Sequence, residues 1–599
     1  MFSINFTAIN ISIMFKSASQ YLKIFSNKAV KWHCCLTEDL LRMAQKEDKL
    51  LFIHIGSFNN IYQREQAIKL FSNPEIISIL NNNFICIVED QDDKPETFLL
   101  ALDLLFLNEE FSSGPMNIIM SPNQKPIICF SDTKPENCTE IINSILLAKR
   151  EKRDQLIELG EELAKRITNT AIITREEEEL VGNEHLRSMV NDWFCNNQID
   201  LMFWMIPYNS NPSKIITQLS CLKCSDNPVH HNRMRSILNH YQYSALFDPI
   251  SGGFFSQAND ASCKKSLFEK NLYVNGSFLI LYALSYKALN EVSYKKTAEM
   301  IYRFIVDELR TESEDADFGL SNGTTLTCKI EEADYYTFSM SEILLLFPDR
   351  YEDIAAGLSF HVNIGSKRRH IPVRTELTDE YIGKDDLMLL RERRLEHRNY
   401  YKDTRIISES NFRTIKAFAM ASELLQNSYM YENAVTIFNY VIKHNTRPSD
   451  GKLYRYSSAG DHYFSGNLSD YANLIDAAIE LYKVSKNQKY LDIALKYTDI
   501  VYKKFHKSET HMFLMSEKDV PLEENCVTFK REFNIDLLRP SANSMMAGNL
   551  ISLYEITGRE DFLLNAHHQI SNIASNIPES GPMLSNWIGE ALHFLSVTE

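Results

Sequence analysis

Two carboxylates in turn-rich loops, Asp260 and Asp470, are the residues of this chain best suited to act as an acid/base pair, since proton transfer needs one group to give a proton and another to take one. Each also stands where a helix starts, and an Asp there caps exposed backbone amides. Glu269 could serve as a nucleophile, although Lys270 beside it makes a structural ion pair the plainer expectation. Gly252-Gly253 lacks the strand-to-helix frame and Lys of a phosphate loop, so it reads as a tight turn that presents Phe254 to a pocket. Cys221 and Cys224 form a Cys-x-x-Cys in an apolar helical run with no second ligand pair, and neither a redox nor a zinc role is assigned. His230-His231 and His567-His568 have no spaced partners, so no metal site and no cofactor is implied.

The bulk properties narrow the classes. At 599 residues the chain exceeds what one core usually serves, so two units are expected, one of them large. A formal net charge of -16, with no basic run interleaved with aromatics, argues against a nucleic-acid partner. No window offers about 18 uninterrupted apolar residues, so no membrane span is expected. The first 37 residues hold four Lys and no acid. This is either a weak mitochondrial transit signal without its usual Arg, or a disordered extension with Met14 as the true start. Eleven scattered Cys suit a reducing compartment such as the cytoplasm.

From 36 to 150 the pattern alternates: helix 40–45, strand 50–55, helix 64–71, strand 84–88, helix 98–106, then strands 117–120 and 127–130 about a Pro122-Asn123-Gln124 turn, and a helix through 146. A charge-dense stretch, 151–180, reads as a solvated linking helix. Beyond it the signal is nearly all helical, with amphipathic runs at 272–289, 294–309, 411–425, 429–444, 468–484, 490–505, 544–557 and 562–577. Paired helices over such a length imply a toroid or solenoid. The loops at 248–260, 461–470 and 536–543 would gather at one end as a candidate pocket.

The first unit resembles a thioredoxin-type domain, with Phe52-Ile53-His54-Ile55-Gly56 running into the helix of Asn60 and Gln63, and with Gly114-Pro115 at the place of that fold's cis-proline. The whole chain resembles the spermatogenesis-associated protein 20 family, a thioredoxin-like domain fused to an (α/α)6 barrel similar to N-acylglucosamine 2-epimerases and six-hairpin glycosidases. Tyr21-Leu22, Val30-x-Trp32, residues 84–95, Gly252-Gly253-Phe254 with Asp260, Phe268-Glu269-Lys270 with Leu272-Tyr273 and Asn275, Asn411, Asp470-Tyr471-Ala472 and Pro540-Ser541-x-Asn543-Ser544 carry the match. It implies an N-terminal extension at 1–20, a thioredoxin-like α/β domain at 21–150, the linking helix at 151–180 and an all-α (α/α)6 toroid at 181–599.

The departures matter as much. The family's Cys-His-Trp-Cys falls on Asn60, Ile61, Tyr62 and Gln63, and its Trp-Pro on Gly114-Pro115. Neither Asn60 nor Gln63 can form a thiolate, so attack on a disulfide is excluded there. The barrel's Pro-His-Phe-Glu-Lys becomes Ser266-Leu267-Phe268-Glu269-Lys270, which removes a histidine, and Glu-Pro-Ser becomes Arg539-Pro540-Ser541. Sugar epimerisation needs an acid and a base, and glycoside hydrolysis needs two carboxyl groups. What is left at the barrel mouth, Asp248, Asp260, Glu269, Asp470 and Asp536 with Tyr273, Asn275, Asn411 and Asn543, could hydrogen-bond a sugar or polyol. The expected function is therefore a redox-inactive, catalytically degenerate protein that binds a ligand in the barrel or a protein partner on the thioredoxin-like domain. The alternative is a carbohydrate-modifying enzyme using Asp260, Glu269 and Asp470.

Overall fold

The computed structural model describes residues 17–26, 29–107, 114–170, 180–196, 208–209, 212–222, 227–258, 262–311, 317–329, 332–364, 368–397, 399–519, 531–536, 539–577 and 581–599. Backbone contacts divide the chain into two compact units, one built from residues up to 172 with 461–465 and 514–532, the other from the remainder.

In the first unit, the apolar run Leu50–Gly56 (β2) is buried along its whole length, as a strand covered on both faces must be. Around it lie Trp32–His33 (β1), Phe84–Asp90 (β3), Met116–Met120 (β4) and Pro126–Phe130 (β5), in the sheet order β1-β3-β2-β4-β5. The first three are mutually parallel and the last two antiparallel. Parallel neighbours need crossover helices, supplied by Glu38–Lys46 before β2 and by Ile61–Leu70 and Pro74–Asn83 before β3. The last of these helices escapes the sequence pattern because it ends in three Asn, poor helix formers. It is started by Asn73, whose side chain accepts from the amides of Glu75 and Ile76, and by Pro74 in the first turn.

One face of the sheet is packed by Phe25, Trp32, Phe52, Phe71 and Phe130, the other by Leu51, Ile53, Ile87, Leu104 and Met120. The charged helix Arg153–Thr170, expected as a solvated linker, sends Ile167 into that second cluster. Gly160 permits the approach, since a Cβ there would stand 3.2 Å from Cβ of Lys125 and 3.4 Å from the Pro126 carbonyl.

In the second unit, six helices form a closed ring: Pro212–Cys221, Leu272–Leu289, Ser408–Leu424, Leu468–Ser485, Ala542–Thr557 and Ser585–Thr598, each beside the next and the last against the first. Closure settles toroid against solenoid. Outer helices such as Val292–Glu308, Ser428–Asn445, Gln488–Lys504 and Glu560–Ala574 each pack on the ring helix before them. The ring helix Leu272–Leu289 reads apolar nearly all round and outer helices such as Val292–Glu308 read amphipathic, as their burial requires.

The expectation of a nearly all-helical second half is corrected between 323 and 407. There Gly323–Leu326 pairs with Lys270–Asn271 and Tyr400–Asp403, and Phe338–Ser339, Leu358–Ile364 and Arg369–Arg374 make a further sheet over a small core of Ile250, Phe338, Ile354 and Leu390. Most of these strands are too short for an alternating pattern to register.

Candidate functional site

The first turns of the ring helices carry the polar residues. Asn275 accepts from the Phe254 amide at 2.7 Å and donates to the carbonyls of Phe254 and Asn271 at 2.9 Å each. Asn411 treats Leu320 the same way, accepting from its amide and donating to its carbonyl at 2.9 Å, with a further bond to Ile407 O at 3.0 Å. Asn543 repeats the pattern on Phe513 at 2.8 and 2.9 Å. Three ring helices thus pin the loop before them with one amide-to-peptide clamp, which uses the groups the sequence assigns to a polyol. Phe254 is turned into the core, its ring centroid 3.9 Å from that of Phe278, rather than presented to a pocket.

Asp248 lies in a buried ion triad. Lys270 Nζ donates to its Oδ2 at 2.7 Å, and Arg394 grips both oxygens at 2.8 and 3.0 Å. Burial would raise its pKa, but Arg394 and Lys270 outweigh it and hold the carboxyl well below the usual range. Lys270 therefore pairs with Asp248, and the pair expected with its half-buried neighbour Glu269 is corrected. Asp536 accepts from the amides of Ser541 and Asn586 at 2.7 Å each and from the Ser544 hydroxyl at 3.0 Å, capping two ring helices at once. Burial pushes it up to about 6. Asp260 and Cys224 lie outside the described residues.

Asp470 is the centre of a different cluster. It closes a capping box with Asn467, and its Oδ1 accepts from the Glu409 amide at 3.0 Å and Arg455 Nη1 at 2.7 Å. Arg455 Nη1 also reaches Glu409 Oε2 at 3.0 Å, and Arg539 reaches that same oxygen at 2.9 Å. Arg539 lies over the Tyr273 ring, 4.5 Å from its centroid, and Arg413 lies 5.6 Å from it. Of the residues expected at a pocket, the structure brings Tyr273 and Asp470 into this one cluster.

The charges are split by environment. Burial pushes Asp470 up to about 7, against the pull of Arg455. Burial would raise Glu409 too, but Arg539 and Arg455 keep it below its ordinary value. Burial pushes the Tyr273 phenol up to about 12. Sequence reasoning missed Glu409, Arg413 and Arg455, and took Arg539 only as a lost carboxylate. One signal was available: Glu409 and Arg413 stand four apart on one helix, the spacing of a side-chain pair. Among the described residues no group of three or more His, Cys, Asp or Glu is placed to hold a metal ion, and no helix is long and apolar enough to cross a membrane.

In the first unit, Asn60 caps the helix Ile61–Leu70, its Oδ1 accepting from the Gln63 amide at 3.0 Å. Asn60 and Gln63 are both buried. Ile55 pairs with Met116, which sets Pro115 beside Gly56 at the same end of the sheet. One residue further into the sheet, His54 pairs with Asn117. Its Nδ1 bonds Asn117 Oδ1, and its Nε2 accepts from the Tyr21 hydroxyl, both at 2.8 Å. A Cβ at Gly56 would strike that hydroxyl.

Burial lowers the His54 pKa from 6.5 to about 4. The folded state therefore binds fewer protons than the unfolded chain, so the contribution is complete above the unfolded value and is lost as pH falls through the folded one. Between pH 7 and 4 the unit loses roughly 3 kcal/mol through this group. Urea midpoints of wild type and His54→Gln at the two pH values check it, and equal acid losses in both chains would contradict it.

The family model Thioredox_DsbH, described as a protein of unknown function, DUF255, matches residues 12–168. Spermatogenesis-associated protein 20 of Rattus norvegicus is 22% identical over 607 residues, 91% of this chain and 76% of that protein. Its Homo sapiens counterpart is 22% identical over 608 residues, with the same shares. Two solved structures also overlay: a GH76 α-mannanase from Bacteroides thetaiotaomicron (11% identity, 69% of this chain and 96% of that one, TM-score 0.43) and cellobiose 2-epimerase from Bacillus thermoamylovorans (9% identity, 69% and 99%, TM-score 0.43). At those scores neither overlay bears on what this chain does. Over 91% of its length this chain is similar to spermatogenesis-associated protein 20, and the part that matches the Thioredox_DsbH model precedes a closed ring of paired helices.

Proposed function

We propose that the protein is a redox-inactive binding protein, with its ligand site at the end of the ring where Tyr273, Glu409, Arg413, Arg455, Asp470 and Arg539 cluster. The observation that carries this reading is the pair of guanidinium groups over one buried phenol ring, an arrangement of donors suited to a polar small molecule. The capping role of Asn60 supports the loss of redox chemistry, because the side chain at the first position of the old motif is engaged by the backbone it caps. The scattered thiols are those of a protein in a reducing compartment, for which we take the cytoplasm.

In an insulin-reduction assay the purified chain is expected to give no thiol-dependent turnover above the reductant alone. Turnover that survives Cys221→Ser with Cys224→Ser would overturn the redox-inactive part.

One observation favours a second reading, a carbohydrate-modifying enzyme. Asp470 is raised to about 7 while Glu409, sharing Arg455 with it, is lowered, and environments that push two carboxyl groups apart assign acid and base roles. Against it, Asp470 is held by the Asn467 and Glu409 amides at 3.0 Å each and by Arg455, which leaves little of it for a substrate. Conversion of any sugar that disappears in Asp470→Asn would decide for the enzyme.

A further inference from the structure

Two of the three guanidinium groups of the ring-end cluster are paired with its carboxylates. Arg455 and Arg539 share Glu409, and Arg455 also holds Asp470. Further along the helix of Arg413, Lys416 binds both oxygens of Asp476 at 2.8 Å. Arg413 has no such partner. Its Nε donates to Ser277 Oγ at 3.0 Å, and among the described residues Nη1 and Nη2 make no hydrogen bond, although the residue is only 6% exposed.

A guanidinium does not shed its proton in a protein, and among the described residues no carboxylate pairs with this one, which leaves its fork open to an anion. A second group there is also unsatisfied. The Tyr273 hydroxyl is buried and has no hydrogen-bond partner, on a residue 2% exposed whose ring lies under both Arg413 and Arg539. Forked N–H donors beside a phenol O–H match the oxygens of a carboxylate or phosphate, whereas a neutral sugar would satisfy the hydrogen bonds and leave the charge unanswered.

Taking the ligand-binding reading as its base, we infer that the site takes an oxyanion, the carboxylate or phosphate group of a small polyol, with Arg413 and Tyr273 as its donors. Arg539, with 29% of its side chain exposed, stands at the solvent side.

The test follows the melting temperature of the full chain at low ionic strength with glucose, gluconate, glucose 6-phosphate or inorganic phosphate. At least one anionic probe is expected to raise it where glucose does not, with the shift shrinking in about 0.5 M NaCl. A shift with glucose 6-phosphate and inorganic phosphate assigns a phosphate group, and a shift with gluconate alone assigns a carboxylate. Tyr273→Phe loses no protein partner, so it should keep the unliganded melting temperature and bind the anion about tenfold more weakly. Arg413→Gln should remove the shift. An anion shift unchanged in Tyr273→Phe overturns the assignment of the site. A glucose shift equal to that of the anions overturns the oxyanion and leaves the ligand-binding reading standing, while no shift with any probe overturns both.

Discussion

An Asp248→Asn chain loses about 3–5 kcal/mol of stability in its helical unit. The substitution nearly preserves shape but turns one acceptor oxygen into an NH2 donor, so Arg394 and Lys270 stay buried with no carboxylate to answer them and with one donor facing another. Asp248 is 1% exposed, Lys270 is not exposed at all and Arg394 is 2% exposed, so water cannot replace the carboxylate. The triad also ties Asp248 to the Gly252 carbonyl through Lys270 Nζ, at 2.8 Å, and through that turn to the loop that Asn275 clamps. Removing Lys270 as well, as Met, should recover part of the loss, because one of the two stranded cations goes with it. Chemical denaturation of the single and double variants checks this. A single-variant loss under about 1 kcal/mol would mean that the triad is relaxed by water or by movement.

The second large effect is at the ring end. Among the described residues, Arg455→Met leaves Glu409 with Arg539 and takes from Asp470 the guanidinium at 2.7 Å, and it should cost about 3–5 kcal/mol at pH 8. The pH dependence has a definite sign. The folded-state pKa of Asp470 already lies above its unfolded value, at about 7, so the folded chain binds more protons than the unfolded one below neutrality. Stability through this group therefore rises as pH falls from 7 toward 4, and the Arg455→Met loss should shrink markedly at pH 5. Denaturant midpoints at the two pH values check it. A loss independent of pH would show that Arg455 acts by packing. This trend runs opposite to that of His54 in the first unit, so the two groups can be told apart in one titration.

Much of the fold was legible because it is written locally. Leu272–Leu289 has the bounds its apolar run suggests, and the strand, turn and helix around Gly56 follow from a buried run and a capping Asn. The helix Pro74–Asn83 and the four-residue strand Tyr400–Asp403 were illegible, the first for its polar end and the second for its length.

The site was harder to read for a different reason. Asn275, Asn411 and Asn543 stand out as polar residues in apolar helices, but their task depends on where a distant loop returns, which spacing cannot show. Arg413, Arg455 and Arg539 come from three separate elements that only closure of the ring brings together. No local pattern marks them as one cluster.

The central claim, that the ring end binds a ligand without transforming it, is tested most directly by one panel read in two ways. Sugars, sugar acids and sugar phosphates are incubated with the full chain, the melting temperature is recorded, and proton NMR of the same samples follows each compound over a day. The account predicts that at least one compound stabilises the protein, by about 2.7 kcal/mol at 100 times its dissociation constant, and that every compound is recovered unchanged. Steady conversion of any of them, lost in Asp470→Asn, would contradict it.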